Sequence, residues 1–269
     1  MSAAGELWVR GVGIWGAGLE TWPAARAILR GECALPAQAA PIPACGRLPP
    51  AERRRASKVV NLAMTTALEA VTAAGLDAAT LASIFTTSSA DGENCTAICI
   101  ALASPDPNDH FISPTRFHNS VQNAAAGYWA IAMGAMAPST SLSAFDGGFG
   151  AALLEAQAAL ATGAPHILIS AYDLPYPEPL HRVRPIGPGL GIALALSAAP
   201  APGALARIRV RLGEAAAERM ARSELEVIRA HAPAGRALPL LERLASQVAG
   251  TVRLEYLDDL GLEIDVAPA

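Results

Sequence analysis

The residue with the widest chemical choice is Asp146, in the stretch STSLSAFDGGFG at 139–150. An aspartate followed by two glycines marks a sharp turn, and the spacing from 149 to 161 after it predicts a helix. At such a turn a carboxylate either caps the helix N-terminus, worth about 1 kcal/mol, or acts as a base. Ser141 and Ser143 lead into the turn. Phe145, Phe149, Tyr128 and Trp129 flank it, as core and subunit packing or as the wall of a pocket. His118, in the loop before a helix at 121–134, either lines a pocket or bonds backbone. Arg182 and Arg184, in YPEPLHRVRP, either meet an acidic partner or are simply solvated.

Metal and cofactor chemistry have little to stand on. Cys33, Cys45, Cys95 and Cys99 form no CxxC pair, and no histidine lies at ligand spacing from them, so no metal site is expected. His166 opens an apolar strand and reads as structural. Gly189 and Gly191 lack the spacing of a phosphate loop and fit close backbone approach, so no cofactor is expected.

The elements that must hold these residues alternate. Strands are predicted at 7–14, 83–89, 139–144, 166–172 and 189–198, with helices at 22–30, 56–74, 121–134 and 149–161. Proline-bearing loops fill 33–50 and 104–118, and the strand at 83–89 runs into a polar loop at Asp91-Gly92. Asn119 or Ser120 is placed to cap the 121–134 helix. This order predicts an α/β fold, a mostly parallel five-stranded sheet with helices on both faces. Beyond it come a strand at 207–212, helices at 221–230 and 238–248, and a closing strand pair at 251–256 and 262–266. The division expected is 1–200 as one α/β unit and 201–269 as a shortened C-terminal portion packed on it.

Composition narrows the partners. Apolar residues make up 52% of the 269 and charged residues 16%, which argues for a compact body and against disorder. So little charge covers a free surface poorly, and a large apolar contact with another subunit would relieve this. The formal net charge of -4 argues against nucleic-acid binding. The one basic run, Arg53, Arg54, Arg55 and the only lysine, Lys58, reads as a solvated helix start or as a contact for an acidic carrier protein. No signal peptide and no membrane span are expected, and a reducing cytoplasm suits the cysteines.

Three segments together resemble the β-ketoacyl synthases, of the thiolase fold. Gln122, Asn123, Ala126, Gly127, Gly134, Pro138, Ser141 and Ser143 match, in order and spacing, the family's run toward its reactive cysteine. VRGVGIWGAG resembles its opening strand, and PIGPGLGIALALSA the glycine-bearing strand that closes its N-terminal half. The resemblance spans about residues 6–212 and implies that the nucleophile's position is Asp146. In such enzymes a helix N-terminus lowers the thiol pKa for attack on a thioester, and backbone N–H groups stabilise the oxyanion. A carboxylate there is a poor acyl acceptor, because the anhydride it would form is labile. Mimicry of an acylated or ionised cysteine is a further role the resemblance opens for Asp146.

The family's C-terminal half carries two histidines and a lysine. Here His231 is the only histidine beyond residue 200, and no lysine follows Lys58. Nucleophile and carbonyl-binding groups are thus lost together. The resemblance therefore implies a non-catalytic, chain-length-factor-like subunit of the shortened type found in aryl-polyene, polyketide and fatty-acid clusters. Such a subunit pairs as a heterodimer with an active ketosynthase, which takes its substrate from acyl carrier protein, and Phe145, Asp146 and their neighbours shape the partner's acyl tunnel. The competing expectation is a thioester-acting enzyme, a malonyl-carrier decarboxylase or acyl hydrolase, that uses Asp146 with His118. A scaffold that binds carrier protein through Arg182 and Arg184 is the third.

Overall fold

A computed structural model describes residues 5–214 and 216–269. The strands are β1 (Glu6–Gly16), β2 (Ala82–Thr86), β3 (Ser139–Leu142), β4 (His166–Asp173), β5 (Leu190–Ser197), β6 (Ala206–Glu214), β7 (Gly250–Leu257) and β8 (Leu260–Pro268). The helices are α1 (Trp22–Leu29), α2 (Pro50–Arg55), α3 (Lys58–Ala74), α4 (Gly92–Leu102), α5 (Pro114–Asn119), α6 (Ala124–Met133), α7 (Gly148–Ala161), α8 (Leu180–Val183), α9 (Ser223–His231) and α10 (Leu238–Ser246). Short 3-10 turns occupy Pro107–His110 and Pro233–Ala237.

All eight strands form one sheet in the order β3-β2-β4-β5-β1-β6-β8-β7. The five strands expected at the N-terminal side are adjacent in it, but the sheet does not stop there. Strand β6 pairs with the free edge of β1, and the β7–β8 hairpin follows. The expectation of a mostly parallel five-stranded sheet is corrected accordingly. Strands β1 to β4 do point the same way, yet β5 lies antiparallel between β4 and β1, and only β2–β3 and β2–β4 are parallel pairings. The physical reason is the connection at 174–189. Its only helix is the four-residue α8, too short for a crossover, so the chain turns back beside β4.

Helices cover both faces. On one, α3 and α6 pack through Leu62, Met64, Ala67, Tyr128 and Trp129 on Phe85, Leu168 and Tyr172. Helix α3 lies flush on β1 because Gly13 carries no side chain: a Cβ there would stand 2.0 Å from the Thr66 carbonyl oxygen. Ser57 caps this helix by accepting from the Val60 N–H, and Gly75 closes it with φ +62°. On the other face, α1, α7, α9 and α10 bury Trp22, Phe149, Leu153, Leu225 and Leu241 against β1, β4, β6 and β8. Outside α10, the strands β6, β8 and β7 leave a face to solvent, laced by ion pairs such as Arg209–Glu6 and Arg211–Asp265.

Four helices, α2, α4, α5 and α8, were not expected. The longest of them is α4, which follows directly on the polar Asp91-Gly92 pair, with Asp91 as its cap accepting from the Asn94 N–H at 2.9 Å. The proline-bearing stretch after it holds α5 and a 3-10 turn.

Candidate active site

Strand β3 delivers Ser143 to the end of the sheet where β2 and β4 also finish. Such C-terminal strand ends are where α/β folds place their sites. The chain then turns through Ala144, Phe145 and Asp146 into α7. Phe145 takes φ +50°, a left-handed conformation that a bulky residue adopts only under constraint. The cap of α7 is Gly147, one residue past the aspartate, and no side chain bonds the helix end. Asp146 is therefore not the helix cap that its sequence context suggests.

The Asp146 carboxylate is held by two arginines instead. Arg184 Nη2 donates to Oδ1 at 2.5 Å, and Arg236 Nη2 donates to Oδ2 at 3.3 Å. Arg184 comes from the end of α8 and Arg236 from the 3-10 turn before α10, so the turn after β3 is tied to two distant segments. All three side chains are less than a third exposed, where an ion pair is screened less than on open surface. The network continues through Glu255, which meets Arg236 at 3.6 Å and Arg229 at 3.1 Å.

Glycines let neighbouring elements close on the turn. A Cβ on Gly147 would lie 2.5 Å from the Tyr256 carbonyl oxygen, and one on Gly148 would lie 2.7 Å from Thr86 Oγ1. Strand β7 thus lies directly on the start of α7. What remains is an open cleft of about 400 Å³ between Phe145, Asp146, Arg236, Glu255, Tyr256 and Asp258.

Behind the turn, Asp173 ends β4. Its Oδ1 accepts from Ser88 Oγ at 2.7 Å, Ser88 N–H at 2.8 Å and Thr87 Oγ1 at 3.0 Å. Burial pushes its carboxyl up to about 6, against the pull of these hydrogen bonds and of Arg184. Ser143 Oγ donates to the Ser88 carbonyl at 3.4 Å, so β2, β3 and β4 are fastened together at this end.

The structure brings only some of the expected residues together. Ser141 and Ser143 lead into the turn on β3 and just beyond it; Phe145, 62% exposed, lies at the turn with Asp146. Trp129 and Phe149, expected at a pocket or an interface, are in the core: Trp129 is tilted against Phe85 at 6.1 Å, and Phe149 packs beneath α7. His118 is exposed and stands edge-on to Tyr128, while the hydrogen bonds to Asp146 come from Arg184 and Arg236. Of the two arginines expected to meet a carrier, Arg182 is exposed beside Glu178 at 3.6 Å. Arg184 is committed to Asp146 and Phe145, and so is not the free surface cation expected. Arg236, Glu255 and Asp173 were not anticipated. Asp173 alone had a signal, a lone carboxylate closing an apolar strand.

Among the described residues, no three His, Cys, Asp or Glu side chains gather as a metal site, and no helix is long and apolar enough to cross a membrane. The cysteines are all free thiols, and burial, with Asp91 and Cys99 nearby, pushes the Cys95 thiol up.

The family model for the N-terminal domain of β-ketoacyl synthases matches residues 22–253. No curated protein matches the sequence. A chain in the structure of a ketosynthase (ApeO) in complex with its chain length factor (ApeC) from Xenorhabdus doucetiae is 20% identical. The match covers 96% of this chain and 98% of that one, with a TM-score of 0.72. A chain from the ishigamide ketosynthase/chain length factor is 15% identical over 98% of this chain and 99% of that one, with a TM-score of 0.72. A third is in AntDE:AntF, a type II polyketide synthase acyl-carrier protein in complex with its ketosynthase. It is 11% identical over 99% of this chain and 100% of that one, with a TM-score of 0.75. The shared architecture is the thiolase-like fold of ketosynthases.

Proposed function

The chain belongs to the β-ketoacyl synthase N-terminal domain family, and from that premise we propose that it is a non-catalytic subunit. In this reading it pairs with an active ketosynthase and, like a chain length factor, shapes that partner's acyl tunnel. The pathway is polyketide, aryl-polyene or fatty-acid synthesis in the cytoplasm, on acyl carrier protein.

The distribution of exposed apolar side chains carries the reading. Eight of the fifteen large ones exposed among the described residues fall between 100 and 145, among them Phe111, Phe117, Val121, Ile131, Met136 and Phe145. Strand β3, which has no neighbour on its outer side, lies in the same stretch. Exposed apolar surface of this kind marks a protein contact. The similar chains are about this chain's length, and two of them come from structures described as ketosynthases with chain length factors.

Lack of catalysis is argued from Asp146. Each of its oxygens faces an arginine, so the carboxylate is tied up in ion pairs and not free to act on a thioester. The same facts weigh against a decarboxylase or hydrolase that would need Asp146 free and His118 beside it.

The test is co-expression with the ketosynthase encoded beside it, with a tag on one chain only, followed by light scattering on the eluate. A 1:1 complex is the expected result. A chain that stays monomeric and never retains the ketosynthase would overturn the pairing.

A further inference from the structure

Arg184 and Arg236 come from distant segments to one point, and their guanidinium groups take one oxygen each of a single carboxylate. Arg184 is fixed from behind by the Phe145 ring at 3.7 Å, and Arg236 by Glu255 at 3.6 Å. Each arginine thus has a contact besides Asp146. The point lies beside a cleft of about 400 Å³ that opens to solvent. Paired guanidinium donors around a planar carboxylate are the geometry by which proteins bind small carboxylate ligands.

We infer that Asp146 is an internal ligand: its side chain occupies a two-arginine carboxylate cradle, and the cradle, relieved of that side chain, takes a small carboxylate from solution. The inference does not depend on the pairing proposed above, since both arginines belong to this chain.

Chemical rescue tests it on the full chain. Asp146→Ala takes from Arg184 its only carboxylate partner among the described residues and leaves Arg236 with Glu255 alone, and the melting temperature is expected to fall by several degrees. Sodium acetate or malonate, on the order of 100 mM, is expected to restore a large part of that fall. Sodium chloride at equal ionic strength restores much less, and the acetate gain counted is the excess over the small general stabilisation that acetate also gives the wild-type chain. Adding Arg236→Gln to Asp146→Ala abolishes the acetate gain. If the alanine variant does not fold, Asp146→Ser, which keeps a hydroxyl at the turn, is measured in its place. Equal gains from acetate and chloride, or an acetate gain that survives Arg236→Gln, would overturn the cradle.

Discussion

The guanidinium of Arg184 lies 3.7 Å above the Phe145 ring while its Nη2 grips Asp146 at 2.5 Å, so one side chain holds two consecutive residues of the turn. This accounts for the turn's unusual backbone. Phe145 is kept at φ +50° with its ring outward, a conformation that costs on the order of 1–3 kcal/mol and persists only where its surroundings enforce it.

Arg184→Ala is therefore expected to destabilise the chain by about 1–3 kcal/mol, between the values for exposed and for buried ion pairs. Arg184→Lys should recover only part, because an ammonium restores the charge but not the flat face on the ring. Urea denaturation of the three proteins decides it. An alanine variant as stable as wild type would show that the clamp holds nothing.

Asp173 gives the fold a pH dependence whose sign follows from its burial. Its folded carboxyl titrates near 6, above the ordinary value of 3.8. Between those two values the folded chain keeps a proton that the unfolded chain has lost, so stability falls as pH rises through this window and levels off above it. Two units correspond to about 3 kcal/mol. Asp173→Asn keeps an oxygen for Ser88 and Thr87 but cannot ionise, and its urea midpoint should lose this fall between pH 4 and 6. Parallel profiles for the two proteins would refute the assignment.

Much of the fold could be read in the sequence because its signals are local. Apolar runs at 166–172 and 189–198 read as buried strands, and Gly75 ends α3 as its type suggests. Helix α4 was hidden because Asp91-Gly92 looks like a turn and because Ile100 and Leu102 point to solvent, which leaves no inward stripe to read. Strand direction was misjudged since order alone does not reveal that β5 turns back between β4 and β1. At the site, the turn and its aspartate were legible, but the groups that define their state were not. Arg184 and Arg236 lie 38 and 90 residues downstream of Asp146, beyond any local spacing rule.

Glu69, half-buried on α3, shows the same long reach. From α3 its Oε2 accepts from the Ile14 N–H at 2.9 Å and its Oε1 from the Trp22 N–H at 2.5 Å, joining the end of β1 to the start of α1. Glu69→Ala strands both amides, at an expected cost of about 2–4 kcal/mol. Glu69→Gln keeps one acceptor and should cost about half as much. Chemical denaturation orders the three, and a glutamine variant worse than alanine would contradict the account.

The surface between residues 100 and 145 allows the sharpest test of function. Met136 is 94% exposed and Phe111 77%, so neither holds this chain's own core together. Met136→Asp and Phe111→Asp should leave the melting temperature within about a degree of wild type, as surface substitutions do. If the ketosynthase covers this surface, each change buries an unpaired charge in the contact and weakens association at least about tenfold. Val227→Asp, at an exposed position of α9 outside the stretch, is the control and should bind as wild type does. Titration of the purified ketosynthase with each variant reads the effect. Unchanged affinity in both aspartate variants would mean that the partner sits elsewhere, even if a complex forms.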